Sequence, residues 1–166
     1  MNVESYFAMV ELSVLGPGDL FFLPGPEGNY SPSMKVTTAS RQIMIVDFDA
    51  ELQNGARGPV LFNAPDDLNE QMVISVPNAL IRFPELKKIN IGTMASPPMG
   101  ALMIYPVGTI IKVSYQNRQS LRFRIDNGDQ ATGQTWEGSD YAWTASWDII
   151  VRDAENKSTV LFSRSS

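Results

Sequence analysis

The sequence predicts an all-β protein: a single antiparallel β-sandwich spanning residues 1–166, built as a jelly roll or another Greek-key sandwich. Three observations predict it. Apolar residues recur with period two in one segment after another, the spacing of a strand with one buried face. Eleven Pro and 12 Gly are spread along the chain and interrupt every run long enough for an extended helix. Strands do not alternate with amphipathic helices, and no repeat of about 20–50 residues is visible, which sets aside parallel α/β folds, propellers and solenoids. With 166 residues, 43% hydrophobic and 19% charged, the chain is long enough to bury one sizeable core.

The elements follow in order. Tyr6, Ala8, Val10, Leu12 and Val14 share one face of a first strand, which Gly16-Pro17-Gly18 ends. Residues 19–23 predict a short strand before the Pro- and Gly-rich loop 24–29. Strands are expected at 34–38 and 41–52; in the second, Met44, Val46, Phe48, Ala50 and Leu52 form the apolar face, and Gln53-Asn54-Gly55 supplies a turn. Residues 60–63 and 72–76 follow as strands. Between them, residues 65–70 predict one helical turn, with Pro65 near the first helical position and Asp66 and Asp67 beside it. Further strands are expected at 80–83, 88–93, 101–105, 109–116 and 120–126. In the last of these, Leu121, Phe123 and Ile125 alternate with Arg122, Arg124 and Asp126. Asp126-Asn127-Gly128-Asp129 then turns the chain into a Gly/Ser/Thr-rich loop that runs to residue 139. Residues 142–152 place Trp143, Ala145, Trp147, Ile149 and Val151 on one face of a single strand, and 159–163 close the series.

Composition excludes much chemistry. There is no Cys and no His, which removes disulfides, thiol nucleophiles, Cys-based metal centres, the Ser-His-Asp triad and the usual proton shuttle at neutral pH. No cofactor is expected. The formal net charge is −5 and the first 34 residues hold no Lys or Arg, so neither direct nucleic-acid binding nor a secretion signal is expected. Residues 89–111 carry no charge, a span of 23 residues. Pro97, Pro98 and Pro106 with Gly92, Gly100 and Gly108 would break a transmembrane helix there, so buried or partner-covered strands are expected instead.

Asp47, Asp49 and Glu51 alternate with Phe48 and Ala50. This stretch resembles the acid-apolar-acid-apolar-acid strand of the laminarinase-type β-sandwich glycosidases, although Asp stands where that family leads with Glu. The resemblance implies Asp47 as nucleophile and Glu51 as general acid/base. On a flat strand these two stand roughly 13 Å apart, against the about 5–5.5 Å of a retaining glycosidase, so that chemistry requires a bulge. The plainer alternative is a solvated face pairing with Arg122, Arg124 or Lys112 across the sheet. Asp126-Asn127-Gly128-Asp129 offers oxygen ligands for calcium, but without EF-hand spacing it reads as a hairpin turn. Trp136 and Tyr141 lie in a polar loop and are candidate platforms for stacking on a sugar ring. Trp143 and Trp147 share a face with Ile149 and Val151 and are expected in the core.

The remaining feature is apolar residues in segments that read as loops. Phe21, Phe22 and Leu23 precede a Pro/Gly loop, and Met94, Met99 and Met103 punctuate the uncharged stretch. Interface cores are depleted in charge and enriched in Met and aromatics, so these six are candidate interface residues. In strand pattern, length and loop composition the whole chain resembles the single jelly-roll coat proteins of icosahedral viruses, including small capsid proteins of tailless, membrane-containing phages. The resemblance implies a non-enzymatic virion subunit whose partners are other copies of itself and other capsid proteins. Lacking a basic arm, such a subunit would leave its genome to an internal membrane or to companion proteins. A carbohydrate-binding module using Trp136 and Tyr141 is the second reading, and the glycosidase the third.

Overall fold

The computed structural model describes residues 7–52, 55–64, 70–83, 85, 88–91, 96–116, 119–133 and 140–165. The strands are β1 (Ala8–Glu11), β2 (Leu20–Pro24), β3 (Tyr30–Thr37), β4 (Ile43–Glu51), β5 (Arg57–Asn63), β6 (Met72–Ser75) and β7 (Leu80–Arg82) in the first half. The second half contributes β8 (Asn90–Ile91), β9 (Leu102–Tyr105), β10 (Gly108–Tyr115), β11 (Gln119–Arg124), β12 (Ala142–Thr144), β13 (Trp147–Arg152) and β14 (Ser158–Arg164). They form the expected all-β sandwich, divided unequally. An 11-stranded sheet runs β1-β6-β2-β3-β4-β5-β10-β9-β12-β8, with β11 branching from β10, and a 3-stranded sheet runs β14-β13-β7. Among the described residues pairing is antiparallel except for one parallel contact between β10 and β5 and an isolated parallel bridge between Thr37 and Asp129. After the β2-to-β5 meander the chain returns to lay β6 beside β2, a Greek-key type of connection.

Alternation explains the core. Met44, Val46 and Phe48 of β4, Met34 and Val36 of β3, Ile111 and Val113 of β10 and Phe123 of β11 all point to one side, where Trp147 and Ile149 of the small sheet meet them. Trp147 is 2% exposed. Its ring stands edge-on to Phe48 with centroids 5.4 Å apart, and its Nε1–H donates to the Gly100 carbonyl at 2.9 Å. The opposite face is covered as well. Ile45 packs with Phe21, Val73, Leu12 and Leu15, and Met103, Tyr105 and Ile110 pack against Tyr141 and Trp143. The central strands therefore have two buried faces, and the strict alternation of an exposed sheet does not describe them.

Two expected strands are divided. Leu12–Val14 form a 3-10 turn instead of continuing β1. The turn carries Leu12 into the back layer at 0% exposure and leaves Val14 71% exposed. Residues 142–152 break at Ala145 and Ser146: Thr144 Oγ1 accepts from the Ser146 amide at 3.2 Å and donates to its carbonyl at 3.0 Å. The break sends β12 into the large sheet and β13 into the small one, so Trp143 and Trp147 do not share a face. The helical turn expected at 65–70 lies outside the described residues except Glu70. The uncharged stretch 89–111 owes much of its character to burial, since Ala101, Leu102, Met103, Ile110 and Ile111 are each at most 1% exposed.

A buried lysine ties the back layer down. Lys35, 7% exposed, donates from Nζ to the carbonyls of Leu12 at 3.0 Å and Leu15 at 2.7 Å. Burial lowers its pKa below 10.5, against the pull of Asp19. The unfolded chain thus binds more protons just below pH 10.5, and stability gained from this group rises with pH through that window. Lys112 adds to the rise, lowered by burial and then by Arg122. Tyr105, raised above 10.0 by burial, works the other way beyond its ordinary value. Melting curves between about pH 8 and 10 are expected to show a smaller gain for Lys35→Met than for wild type. Parallel profiles would show that Lys35 titrates as an exposed lysine.

Candidate functional site

The large sheet is wider than the small one, and the difference leaves an open site. Register aligns Met9 of β1 with Ile74 of β6, Ile74 with Phe22 of β2, and Phe22 with Pro32 of β3. The row lies on the same face as Leu20 and Met34, two residues along β2 and β3, and those two belong to the sandwich interior. The row is therefore that interior continued past β14, the last strand of the small sheet. Among the described residues Pro32 is buried, Phe22 and Ile74 are half-buried and Met9 is exposed. Met9, Ile74 and Phe22 of the row line a groove of about 400 Å³ together with Phe7, Ala8, Tyr30 and Leu161 of β14. Met9 is 62% exposed and Tyr30 52%, high values for residues on the buried side of a sandwich.

β14 forms one wall. On its inner side it pairs with β13 across a bulge at Ile149 and Ile150; its outer edge pairs with no strand among the described residues. Arg164 anchors its end. The guanidinium donates to the Met99 carbonyl at 3.1 Å and lies where a side chain at Gly100 would otherwise stand. Burial lowers its pKa, opposed by Asp49. Ser163 Oγ donates to Asp148 Oδ1 at 2.7 Å, holding the middle of the sheet.

The six candidate interface residues have different fates. Phe22 lines the groove. Phe21, its neighbour, must point to the opposite face of the strand and is 1% exposed in the back layer, so it is core and no interface residue. Leu23 packs partly buried against that same layer. Met103 is likewise core at 1% exposure, covered by Tyr141 and Trp143. Met99 is half-buried and serves Arg164 through its carbonyl. Met94 lies outside the described residues, as does Trp136.

Tyr141 is half-buried and stacks on Tyr105, with centroids 5.1 Å apart and planes 30° from parallel. It borders a pocket of about 610 Å³ whose walls are Ile91, Ile104, Pro106 and Ala142, with Asp140 as its carboxylate. Sugar recognition needs several convergent polar groups, and this lining offers few.

The acidic strand does carry a bulge, between Asp47 and Ala50 opposite β5. The bulge engages two of the three carboxylates. Asp47 Oδ1 accepts from the Ser31 hydroxyl and from the Asp49 amide at 2.9 Å. Asp49 pairs with Arg57 at 2.9 Å, and Glu51 stands opposite Arg57 in the register. Arg57 is thus the cross-strand partner in place of Arg122, Arg124 or Lys112. Asp126-Asn127-Gly128-Asp129 forms a turn, with the Gly128 amide donating to the Arg124 carbonyl at 3.0 Å.

Sequence reasoning missed Met9, Ile74, Tyr30 and Leu161. A local signal existed in Ser158–Arg164, a strand without Pro or acid, but that it is an edge strand depends on the whole topology. The fold and groove define the class as an all-β sandwich with one incompletely covered interior face. Comparison with known protein families, curated proteins and solved structures found no match. No helix among the described residues is long and apolar enough to cross a membrane.

Proposed function

We propose that the protein is a structural subunit of a larger assembly, a coat subunit of an icosahedral virus or phage, working through contacts between subunits. The observation that carries this reading is the exposed interior face. Exposed Met9 and Tyr30 and half-buried Phe22 and Ile74 stand beside a strand edge that pairs with no strand among the described residues. An apolar patch next to a bare edge is a liability for a solitary protein and is relieved when a neighbour covers it. The acidic balance of −5 supports a subunit that leaves nucleic acid to other components, such as an internal membrane or companion proteins.

Native mass measurement across rising protein concentration tests the reading. Species heavier than the 18.4 kDa chain are expected for wild type, and Met9→Lys is expected to shift them toward the single chain by charging the patch. A wild-type chain that stays at 18.4 kDa up to millimolar concentration would refute the proposal.

A further inference from the structure

A cavity of different chemistry lies at the other end of the large sheet, beside β8 and β12. It holds about 430 Å³, and Lys88, Asn90, Pro98, Trp143, Ser146 and Ser165 line it. We propose that it is a carbohydrate site for a saccharide bearing a carboxylate. Trp143 is the stacking surface, Asn90 and the two serines meet ring hydroxyls, and Lys88 takes the carboxylate. The site does not depend on the assembly reading above.

Three observations support it. First, the platform is fixed. Trp143 stands between Met103 of β9 and Asn90 of β8 in the register. Its half-buried side chain packs against the cluster of Met103, Tyr105 and Ile110 and also borders the cavity. An indole held by core contacts that still offers apolar surface suits the C–H face of a sugar ring. Second, the walls are preformed and polar groups converge on them. Asn90 Nδ2 donates to the Trp143 carbonyl at 3.5 Å, and the Thr144 hydroxyl holds both backbone groups of Ser146. On the far wall, Lys112 Nζ donates to the Pro97 carbonyl at 2.8 Å and the Ala101 amide to the Pro98 carbonyl at 3.1 Å. Arg164, next to Ser165, is bonded to the Met99 carbonyl. A preformed cavity of roughly 300–1,000 Å³ with a few placed polar groups is the usual form of a small-molecule site. The Tyr141 pocket offers fewer such groups. Third, the charge is selective. Among the described residues Lys88 is the one charged side chain in the lining, and no carboxylate joins it. The nearby Asp148 is already bonded by Arg82 at 3.0 Å and by Ser163 at 2.7 Å. Against the upward pull of burial, Ser163, Arg82 and the field of Lys88 hold its pKa below the ordinary value. Two cations thus face one carboxylate, and the surplus positive charge complements an anionic ligand. One cation is too few for a polyanion such as nucleic acid.

Calorimetric titration of the full chain tests the site with three probes: methyl β-D-glucuronide, its neutral twin methyl β-D-glucoside, and acetate, the anion without a ring. Saturable binding of the glucuronide is expected, with the glucoside roughly fivefold weaker, the upper range for an exposed ion pair. Acetate is expected to be weaker still. Lys88→Gln is expected to reduce glucuronide binding to the level of the glucoside and to leave the glucoside unchanged. Asn90→Ala is expected to weaken both sugars, and so is Trp143→Leu, which keeps apolar bulk but loses the flat surface. Lys88 and Asn90 are exposed, so their variants decide the matter even if Trp143→Leu melts early. No saturable binding of the glucuronide, or binding that Lys88→Gln and Asn90→Ala leave untouched, would overturn the proposal. Acetate binding as tightly as the glucuronide would reduce the site to an anion contact and overturn the saccharide. None of these outcomes bears on the native mass, so the coat reading stands or falls separately.

Discussion

Trp147→Ala is expected to lower the free energy of unfolding by about 3–5 kcal/mol, the range for deleting a large buried aromatic. The indole is the contact through which the small sheet holds the large one. Its ring meets Phe48 of β4 edge-on at 5.4 Å and Phe162 of β14 at 5.7 Å. Its Nε1–H satisfies the Gly100 carbonyl, in the segment that also receives Arg164. Trp147→Phe separates the two roles. It keeps an aromatic ring between the sheets but strands the Gly100 carbonyl, and a loss of about 1–3 kcal/mol is expected. Urea unfolding of the three proteins measures both numbers. A Trp147→Ala chain within about 1 kcal/mol of wild type would mean that the sheets are joined chiefly elsewhere.

The second large effect is expected at Gly128, where two loops and a strand end cross without space for a side chain. Gly128 has φ of +71°, and a Cβ there would lie 2.6 Å from the Lys35 carbonyl oxygen and almost on the Gly18 amide nitrogen. Those two atoms are bonded to each other at 2.7 Å, and the Gly128 carbonyl accepts from the Thr37 amide at 2.9 Å. Because the obstacle is backbone, no side-chain rotation relieves it. Gly128→Ala is expected to cost about 3 kcal/mol or more, combining left-handed strain with overpacking. Gly133→Ala is the control. Its φ is +87° but nothing lies within 4 Å of the added Cβ, so only about 1–2 kcal/mol of strain is expected. Thermal melts ranking the two variants equally would refute the crossing as the cause.

Much of the architecture was legible because strand periodicity is a local property. Leu121 and Ile125 flank a fully buried Phe123 as the alternation predicts, and Met44, Val46 and Phe48 enter the core together. The misreadings came where one run of alternating residues is divided by its surroundings. Residues 142–152 set Trp143, Ala145, Trp147, Ile149 and Val151 at alternate positions, yet Thr144 bonds to Ser146 on both backbone groups and the chain changes sheets. Tyr6, Ala8, Val10, Leu12 and Val14 also stand at alternate positions, and the Leu12 turn folds back over Phe21 because the rear of the sheet has apolar surface to cover. Phe21 beside Phe22 reads locally as one greasy patch; in the strand the two residues serve opposite faces, one core and one groove.

Period-two alternation and the spacing of Pro and Gly by themselves pointed to an all-β chain and placed most strands, and the absence of Cys and His excluded thiol and imidazole chemistry. Which strand stands at an edge, which apolar residues are covered and by what, and where a bulge redirects a carboxylate were decided only by the tertiary structure. The physical reason is range: a side chain's direction follows from its immediate neighbours, whereas its burial depends on partners tens of residues away, as when β14 comes to border the row set by Met9, Ile74 and Phe22.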